Sequence, residues 1–152
     1  MENVVARNKK AAHDYFFLEK YECGIVLKGT EIKSIRKGKV SLQDAYCRIH
    51  NNELYVVNMH IAKYEYGNIF NHKEKRDRKL LVHKSEIRKL SFRVQKEGLT
   101  LIPLSIYFVG GLAKVEIALC KGKRLYDKRA DMRKAAIKKD IAKASKFRGR
   151  SQ

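Results

Sequence analysis

The chain carries a basic run interrupted by a tyrosine, Lys123-Arg124-Leu125-Tyr126-Asp127-Lys128-Arg129. Lysine and arginine neutralise phosphates, and a tyrosine ring stacks on an unpaired base, so this composition is typical of RNA-binding surfaces. A solvated charged face with Tyr126 packed against the rest of the fold would have the same composition. The run therefore favours RNA as a partner without saying which RNA.

Patterns that would support catalysis are weak. A catalytic site needs a nucleophile with a base, convergent carboxylates or a metal set, whereas the acidic residues here are interleaved with Lys and Arg. His13 and Asp14 are the nearest approach to a base with its orienting acid, but we expect them on a strand, where adjacent side chains point to opposite faces. The sequence has neither the short histidine spacing of a zinc site nor a nucleotide-binding glycine loop. We expect no enzyme activity, no metal and no cofactor.

The charge of the chain is +19 over 152 residues, and thirteen Lys or Arg against three Asp in residues 121–152 supply +10 of it. An excess of this size calls for an anionic partner, either nucleic acid or a membrane surface. The most apolar segment, residues 99–113, is interrupted by Thr, Pro, Ser and Gly-Gly and is too short to span a bilayer. The N-terminus lacks the layout of a signal peptide. We therefore expect a cytoplasmic protein that binds nucleic acid and no membrane.

Alternating apolar residues predict a mainly antiparallel β domain. Residues 15–27 predict a long strand that opens the sheet, residues 45–58 a hairpin turning at Asn51-Asn52, and residues 99–120 a hairpin turning at Gly110-Gly111. About six such strands tend to close into a barrel, so the predicted fold is α+β, an oligonucleotide-binding-fold-like (OB-fold-like) barrel with flanking helices. Three cysteines at wide spacing are expected to be buried free thiols: Cys23, Cys47 and Cys120.

Two helices are predicted between these strands. Thr30 is the expected N-cap of a short helix that ends at Gly38, and Ser85 is the expected N-cap of a longer one that ends at Gly98. Residues 62–79 are polar and basic without a sustained period, and they predict an exposed, mobile loop.

The C-terminal residues form a separate unit in this interpretation. We predict an RNA-binding domain over residues 1–124 and a basic tail over residues 125–152. The tail is rich in good helix formers, but its apolar stripe, with Ile137 and Ile141, buries too little to offset the entropy of ordering. It is expected to be disordered when free and helical on an anionic surface.

Six sequence blocks in order resemble the signature blocks of bacterial small protein B, the SmpB or SsrA-binding family. The blocks span nearly the whole chain, and their order makes the resemblance specific. They are NKKAAHDYF (residues 8–16), GTEIKSIRKGK (29–39), DAY (44–46), RKLLVH (78–83), EGLTLIPLSIY (97–107) and KGKRLYDKR (121–129).

The resemblance implies an RNA-binding protein of trans-translation. Such a protein binds the tRNA-like domain of transfer-messenger RNA (tmRNA, also called SsrA RNA), and with elongation factor Tu delivers it to stalled ribosomes. The basic tail would occupy the vacant mRNA channel and the decoding centre, against small-subunit ribosomal RNA. We expect the protein to act as a monomer.

The matching motifs also carry expected contacts for each surface. The tRNA-like domain would be bound by Asn8, Lys9, Glu22, Arg36, Lys39, Leu81 and Lys114. The decoding centre would be met by Lys121, Gly122, Lys123, Tyr126, Asp127, Lys128 and Arg129. The mRNA channel would hold Lys134, Lys138, Lys139, Lys143, Lys146 and Phe147.

Two of these assignments have structural alternatives. Leu81 is equally compatible with a place in the core, and Glu22 with an ion pair to a nearby lysine. Other protein classes also share part of the pattern. A ribosomal protein would have similar charge and size, a nuclease would need catalytic residues that we do not find, and a membrane-surface protein would need a stronger amphipathic pattern.

Overall fold

A computed structural model describes residues 3–67 and 71–123 of the chain. The predicted tail, and the boundary after residue 124, lie outside the described residues. Nine strands and three helices occur within the described residues. In chain order they are β1 (Asn3–Arg7), α1 (Ala11–Asp14), β2 (Tyr15–Ile25), α2 (Gly29–Arg36), β3 (Val40–Ser41), β4 (Tyr46–His50), β5 (Glu53–Val57), β6 (His60–Ile61), β7 (Arg78–Leu81), α3 (Lys84–Glu97), β8 (Thr100–Val109) and β9 (Leu112–Gly122).

Six antiparallel strands form a closed ring. Their order is β8-β4-β5-β7-β2-β9, and β9 pairs with β8 to complete the circuit. Strand β1 adds to β8 outside the ring, and β3 pairs with β6 in a small second sheet. Closure leaves few unpaired strand edges, which is the physical advantage of a ring. The predicted fold class, antiparallel β with short helices, is confirmed.

The β pleat separates a buried inner face from an outer face. Cys23 of β2 pairs with Val115 of β9, which pairs with Ile106 of β8, and all three lie in the core. Neighbouring residues in these strands point outward because side chains alternate along a strand. The three cysteines are free and buried, as predicted.

The two predicted hairpins are confirmed. Asn51 and Asn52 both have positive φ, and they join β4 to β5. Gly110 and Gly111 also have positive φ and join β8 to β9. A two-residue turn with both φ values positive matches the twist of the flanking strands, which is why Asn and Gly occur there.

The predicted helices are present, but their N-caps differ from the predictions. The N-cap of α2 is Lys28, and the Glu31 carboxylate accepts its backbone N–H at 2.7 Å. Thr30 lies inside the helix and its hydroxyl contacts His72 instead. The N-cap of α3 is His83 rather than Ser85. Gly98 ends α3 in the left-handed conformation, as predicted.

The prediction of an exposed loop over residues 62–79 is wrong for part of that segment. His72 and Arg78 are almost completely buried, because acceptors from α2 and from neighbouring backbone satisfy them. Sequence composition cannot show this, since a charged side chain is buried only where partners from distant residues meet it. Strands β1 and β6 and helix α1 were also not predicted. The long strand β2 therefore does not open the sheet.

The longest helix in the described segments is α3, with 14 residues. No helix within residues 3–67 and 71–123 is long and apolar enough to cross a membrane.

Candidate nucleic-acid interface

A groove of about 480 Å³ on the outer face brings together three of the predicted RNA contacts. Glu22 comes from β2, Leu81 from β7 and Lys114 from β9. Their strands are adjacent in the ring, and Gly24 pairs with both Leu81 and Lys114. The groove therefore combines a carboxylate, an apolar side chain and an ammonium within a surface open to a ligand.

Tyr107 orients the carboxylate of Glu22. Its hydroxyl donates a hydrogen bond of 2.6 Å to Glu22 Oε2. Glu22 is therefore hydrogen-bonded to this hydroxyl, and within the described residues it does not form the ion pair with a nearby lysine that the sequence left open. Tyr107 was missed as a contributor to the site. The sequence did contain a signal for this role, namely a tyrosine within an apolar strand. A buried Tyr hydroxyl usually needs a hydrogen-bond partner.

Leu81 is exposed, which excludes the place in the core that the sequence left open. Its side chain is 51% exposed, whereas the preceding Leu80 is 1% exposed and lies in the core. Opposite Leu81 lies Gly24, and a Cβ added there would come within 3.3 Å of the Leu81 Cβ. The absence of a side chain at Gly24 therefore gives Leu81 room at the edge of the groove.

Asn8 and Lys9 line a different groove, which runs along residues 5–10 and 40–44. The Asn8 amide nitrogen donates to the Pro103 carbonyl at 3.1 Å, and its backbone N–H donates to Leu104 at 2.7 Å. Part of the hydrogen-bonding capacity of Asn8 therefore attaches the end of β1 to β8. Its amide oxygen can still accept from a ligand.

Arg36 is the last residue of α2, and Lys39 lies three residues further along the chain. The Arg36 guanidinium lies 4.6 Å from the centre of the Phe108 ring, a cation–π contact that keeps the charge at the surface. Lys39 is exposed and immediately precedes β3, beside the groove lined by Asn8 and Lys9. The structure thus divides the predicted RNA contacts into one cluster around Glu22 and a second set near β1, β3 and α2.

The end of β9 is anchored to α1 and β2. Lys121 and Gly122 pair with Phe16 and Tyr15. The Lys123 ammonium donates to the carbonyl of Ala12 at 2.9 Å and lies 5.0 Å from the centre of the Phe16 ring. The other predicted ribosome contacts lie outside the described residues. These are Tyr126, Asp127, Lys128, Arg129, Lys134, Lys138, Lys139, Lys143, Lys146 and Phe147.

A buried ionic cluster attaches α2 to β7 and to the segment before it. The Glu31 carboxylate accepts from Arg78 Nε at 2.7 Å and from Arg76 at 2.7 and 3.1 Å. Arg78 also donates to the carbonyls of Met59, Lys73 and Glu74. Since α2 carries Arg36 and β7 carries Leu81, this cluster links the elements that carry these two predicted contacts.

The pKa of Glu31 reflects this cluster. Burial alone would raise the pKa of this carboxyl, but hydrogen bonds from Arg76, from the Lys28 backbone N–H and from Arg78 hold it below its ordinary value. Glu31 is therefore ionised at neutral pH. Sequence reasoning missed this cluster, because nothing in the local pattern distinguishes these charges from solvated ones.

His13 and Asp14 lie on α1 rather than on a strand, and His13 Nδ1 is 3.1 Å from Asp14 Oδ1. The geometric reason given for excluding them as a pair is therefore wrong. His13 is 86% exposed, however, so the pair lies at the surface and not in a cleft that could exclude water. Within residues 3–67 and 71–123, no group of three His, Cys, Asp or Glu could hold a metal ion.

Comparison with known proteins gives a consistent result over nearly the full chain. The family model for SmpB protein matches residues 5–147. The SsrA-binding protein of Carboxydothermus hydrogenoformans is 55% identical over 148 residues, which is 97% of this chain and 99% of the relative. The SsrA-binding protein of Bacillus cereus is 54% identical over 149 residues, 98% of this chain and 95% of the relative.

A solved structure is similar as well. It comes from the study described as "tmRNA-SmpB: a journey to the center of the bacterial ribosome". The match has a TM-score of 0.65 and 51% sequence identity, and it covers 77% of this chain and 82% of the other.

Proposed function

The chain belongs to the SmpB protein family, and on this premise we propose that it binds tmRNA and takes part in ribosome rescue by trans-translation. One observation carries the proposal: the similarity extends over residues 5–147, which include most of the basic tail as well as the ring of strands. A shared fold alone would not supply this argument, because one fold supports many functions. The similarity to the solved tmRNA-SmpB structure supports the connection to the ribosome.

The groove around Glu22 supports a role in recognising the tRNA-like domain. A carboxylate held by Tyr107 can accept hydrogen bonds from base amino groups or 2′-hydroxyls, and Lys114 can neutralise a phosphate. Leu81 can pack against an unstacked base. Asn8, Lys9, Arg36 and Lys39 would extend this contact along the β1, β3 and α2 side of the protein.

The end of β9 and the segment after it are the part that we assign to the ribosome. Lys121, Gly122 and Lys123 would lead the chain to the decoding centre, where Tyr126 stacks on a ribosomal RNA base and Asp127, Lys128 and Arg129 contact neighbouring groups. The remaining tail would lie in the vacant mRNA channel. Its density of lysine supports this role, because ribosomal RNA supplies phosphates along the whole path.

The remaining features follow from the same proposal. The protein acts as an RNA-binding protein without catalytic activity, as a monomer, in the cytoplasm and together with elongation factor Tu. Its domain over residues 1–124 holds the RNA, and its tail over residues 125–152 becomes ordered on the ribosome.

The experiment that tests the proposal is capture of RNA by the full chain. The protein is immobilised, lysate of its own host is passed over it at moderate salt, and the retained RNA is sequenced. We expect strong enrichment of one stable RNA with an alanine-tRNA-like acceptor end. Broad recovery of ribosomal RNA and tRNA without that species would overturn the proposal and indicate a general RNA-binding protein.

A further inference from the structure

Two tyrosines after β6 form an exposed aromatic surface beside α2. The Tyr66 side chain is 74% exposed, the highest value among the large hydrophobic residues of the described segments. The rings of Tyr64 and Tyr66 meet edge to face with centroids 5.6 Å apart. The Lys37 ammonium lies 5.5 Å from the centre of the Tyr64 ring and 5.1 Å from that of Tyr66, and Lys33 lies 5.6 Å from Tyr64. We call these four residues the tyrosine platform.

The backbone of Tyr64 is held by a neighbouring side chain. The Asn71 amide donates to the Tyr64 carbonyl at 2.8 Å, and its oxygen accepts the Tyr64 N–H at 3.2 Å. The N–H of Gly67 donates to the same carbonyl at 2.9 Å. A Cβ at Gly67 would lie 2.6 Å from the Asn71 amide nitrogen, so a larger residue there would displace the amide that holds Tyr64.

A buried histidine attaches the platform segment to α2. His72 is 1% exposed, and its Nε2–H donates to the Ile61 carbonyl at 2.9 Å. Its Nδ1 then accepts from the Thr30 hydroxyl, also at 2.9 Å. Helix α2 carries Lys33, and Lys37 is its C-cap, so the two backbone segments that carry the rings and the cations are held together before any ligand binds. Preorganisation of this kind lowers the entropic cost of binding.

The chemistry of the platform fits RNA. An exposed tyrosine ring offers a face to an unpaired base, and flanking lysines neutralise the adjacent phosphate. Glu65 lies 3.5 Å from the Lys37 ammonium, but both side chains are about half exposed, and such pairs contribute little. Lys37 can therefore exchange this carboxylate for a phosphate. Arg36, which we assign to RNA above, is next to Lys37 in the chain, and Lys39, assigned likewise, lies two residues beyond Lys37.

We propose that the tyrosine platform is a second RNA contact, at which an unpaired base stacks on Tyr66 while Lys37 and Lys33 meet its phosphates. This proposal rests on the function proposed above and adds a contact beyond the groove around Glu22. The base can belong to tmRNA or to ribosomal RNA, since the recognised chemistry is the same. The test must therefore have one arm for each source.

The test uses the full chain with Tyr66→Ala. The first arm measures the affinity for purified tmRNA, and the second measures peptide tagging on stalled ribosomes at saturating tmRNA. Loss of one stacked base predicts a fall of about 5- to 140-fold in one of the arms. A fall in the first arm assigns the base to tmRNA, and a fall in the second alone assigns it to ribosomal RNA.

Two control variants separate stacking from general effects. Tyr66→Phe keeps the ring and should behave like the unchanged protein. Phe92→Ala removes a ring of α3 that is 61% exposed and has the Lys96 ammonium 5.5 Å from its centre. Phe92 and Lys96 thus resemble the tyrosine platform in chemistry, but they lie on a different element. Phe92→Ala should leave both arms unchanged. Equal losses for Phe92→Ala and Tyr66→Ala would overturn the proposal.

A photoreactive benzophenone amino acid at position 66 identifies the contacted molecule directly. Crosslinking to an unpaired nucleotide is expected, and crosslinking only to a ribosomal protein would overturn the proposal. Unchanged behaviour of Tyr66→Ala in both arms would overturn it while leaving the proposed function intact. Failure of the unchanged protein to bind tmRNA would overturn the proposed function and this proposal with it.

Discussion

The Tyr107 hydroxyl and the Glu22 carboxylate are joined by a 2.6 Å hydrogen bond, although the two residues are 85 positions apart in the chain. Tyr107 belongs to β8 and Glu22 to β2, with β9 between them. Their side chains share the outer face because Tyr107 pairs with Lys114, and Lys114 pairs with Gly24, two residues from Glu22. The bond fixes the carboxylate at the edge of the groove that holds Leu81 and Lys114.

Removing this hydroxyl should weaken both RNA binding and the fold. For Tyr107→Phe we expect a several-fold loss of tmRNA affinity, because the carboxylate is no longer oriented, and a stability loss of about 1 kcal/mol. Glu22→Lys should lower the affinity further. Fluorescence anisotropy with labelled RNA and urea unfolding measure the two effects. If both variants bind like the unchanged protein, Glu22 has no part in recognition.

Truncation of two adjacent leucines should affect different properties of the protein, tmRNA affinity for Leu81 and stability for Leu80. Leu81→Ala should change the free energy of unfolding by less than about 0.5 kcal/mol, because the side chain is exposed. It should nevertheless reduce tmRNA affinity, because Leu81 lines the groove. Leu80→Ala removes a fully buried side chain and should cost about 2 to 5 kcal/mol. A Leu81→Ala variant as unstable as Leu80→Ala would contradict the assignment of Leu81 to the surface.

The buried carboxylate of Glu31 should make stability depend on pH. Because its folded pKa lies below the ordinary value of 4.5, its contribution is complete above about pH 4.5 and is lost as the pH falls through the folded pKa. Glu31→Gln leaves Arg78 buried without its counter-charge and should cost about 3 to 5 kcal/mol at pH 7. Urea unfolding at pH 7, 4 and 3 should show this difference shrinking towards acid.

Glu53 provides the matched control for Glu31. Its carboxyl also has two cationic partners, Lys79 and Lys84, whose hydrogen bonds lower its pKa. The cluster lies at the surface, where water screens the charges. Glu53→Gln should therefore change stability little. Similar losses for both variants would mean that burial does not distinguish the two clusters.

The three cysteines should be unreactive in the native protein. Burial raises the pKa of Cys23 to about 12 and that of Cys120 to about 11, and it raises the pKa of Cys47 well above its ordinary value. The thiolate is the reactive form, so a disulfide reagent at pH 8 should label no thiol in native protein and all three in urea. Rapid labelling of one thiol without denaturant would show local opening of the ring.

Replacements in the segment after β9 should impair peptide tagging without impairing RNA capture. Combined replacement of Asp127, Lys128 and Arg129 by Ala should leave tmRNA affinity unchanged and abolish tagging on stalled ribosomes. The physical reason is that the groove around Glu22 remains intact while contacts to the decoding centre are lost. Gel-shift and tagging assays on the same preparation check this. Normal tagging by this variant would show that Asp127, Lys128 and Arg129 are not needed at the decoding centre.

Local patterns predicted much of the fold because they depend on neighbouring residues. Asn51-Asn52 and Gly110-Gly111 adopt positive φ and end their strands as expected. Gly98 ends α3 for the same reason. The N-caps Lys28 and His83 escaped prediction because the better capping residues, Thr30 and Ser85, lie inside the helices. Backbone geometry at the entry to each helix decides this, and it depends on the preceding strand.

The candidate site was predicted residue by residue but not as an arrangement. Glu22, Leu81 and Lys114 came from matching motifs, and the structure brings these three to one groove. Asn8 and Lys9 came from the same motifs and line another groove. Which residues line which groove depends on the strand order in the ring, and local sequence patterns do not determine that order.

The sequence by itself determined the class of the fold, the turns, the burial of the cysteines and the basic charge that calls for an anionic partner. These properties depend on composition and on residues close in the chain. Only the tertiary structure decided that β9 closes on β8, that Tyr107 holds Glu22, and that Glu31 meets Arg78 across 47 positions. Such contacts depend on strand register and on the burial of charges, and both are set by residues that are distant in the chain and adjacent only after folding.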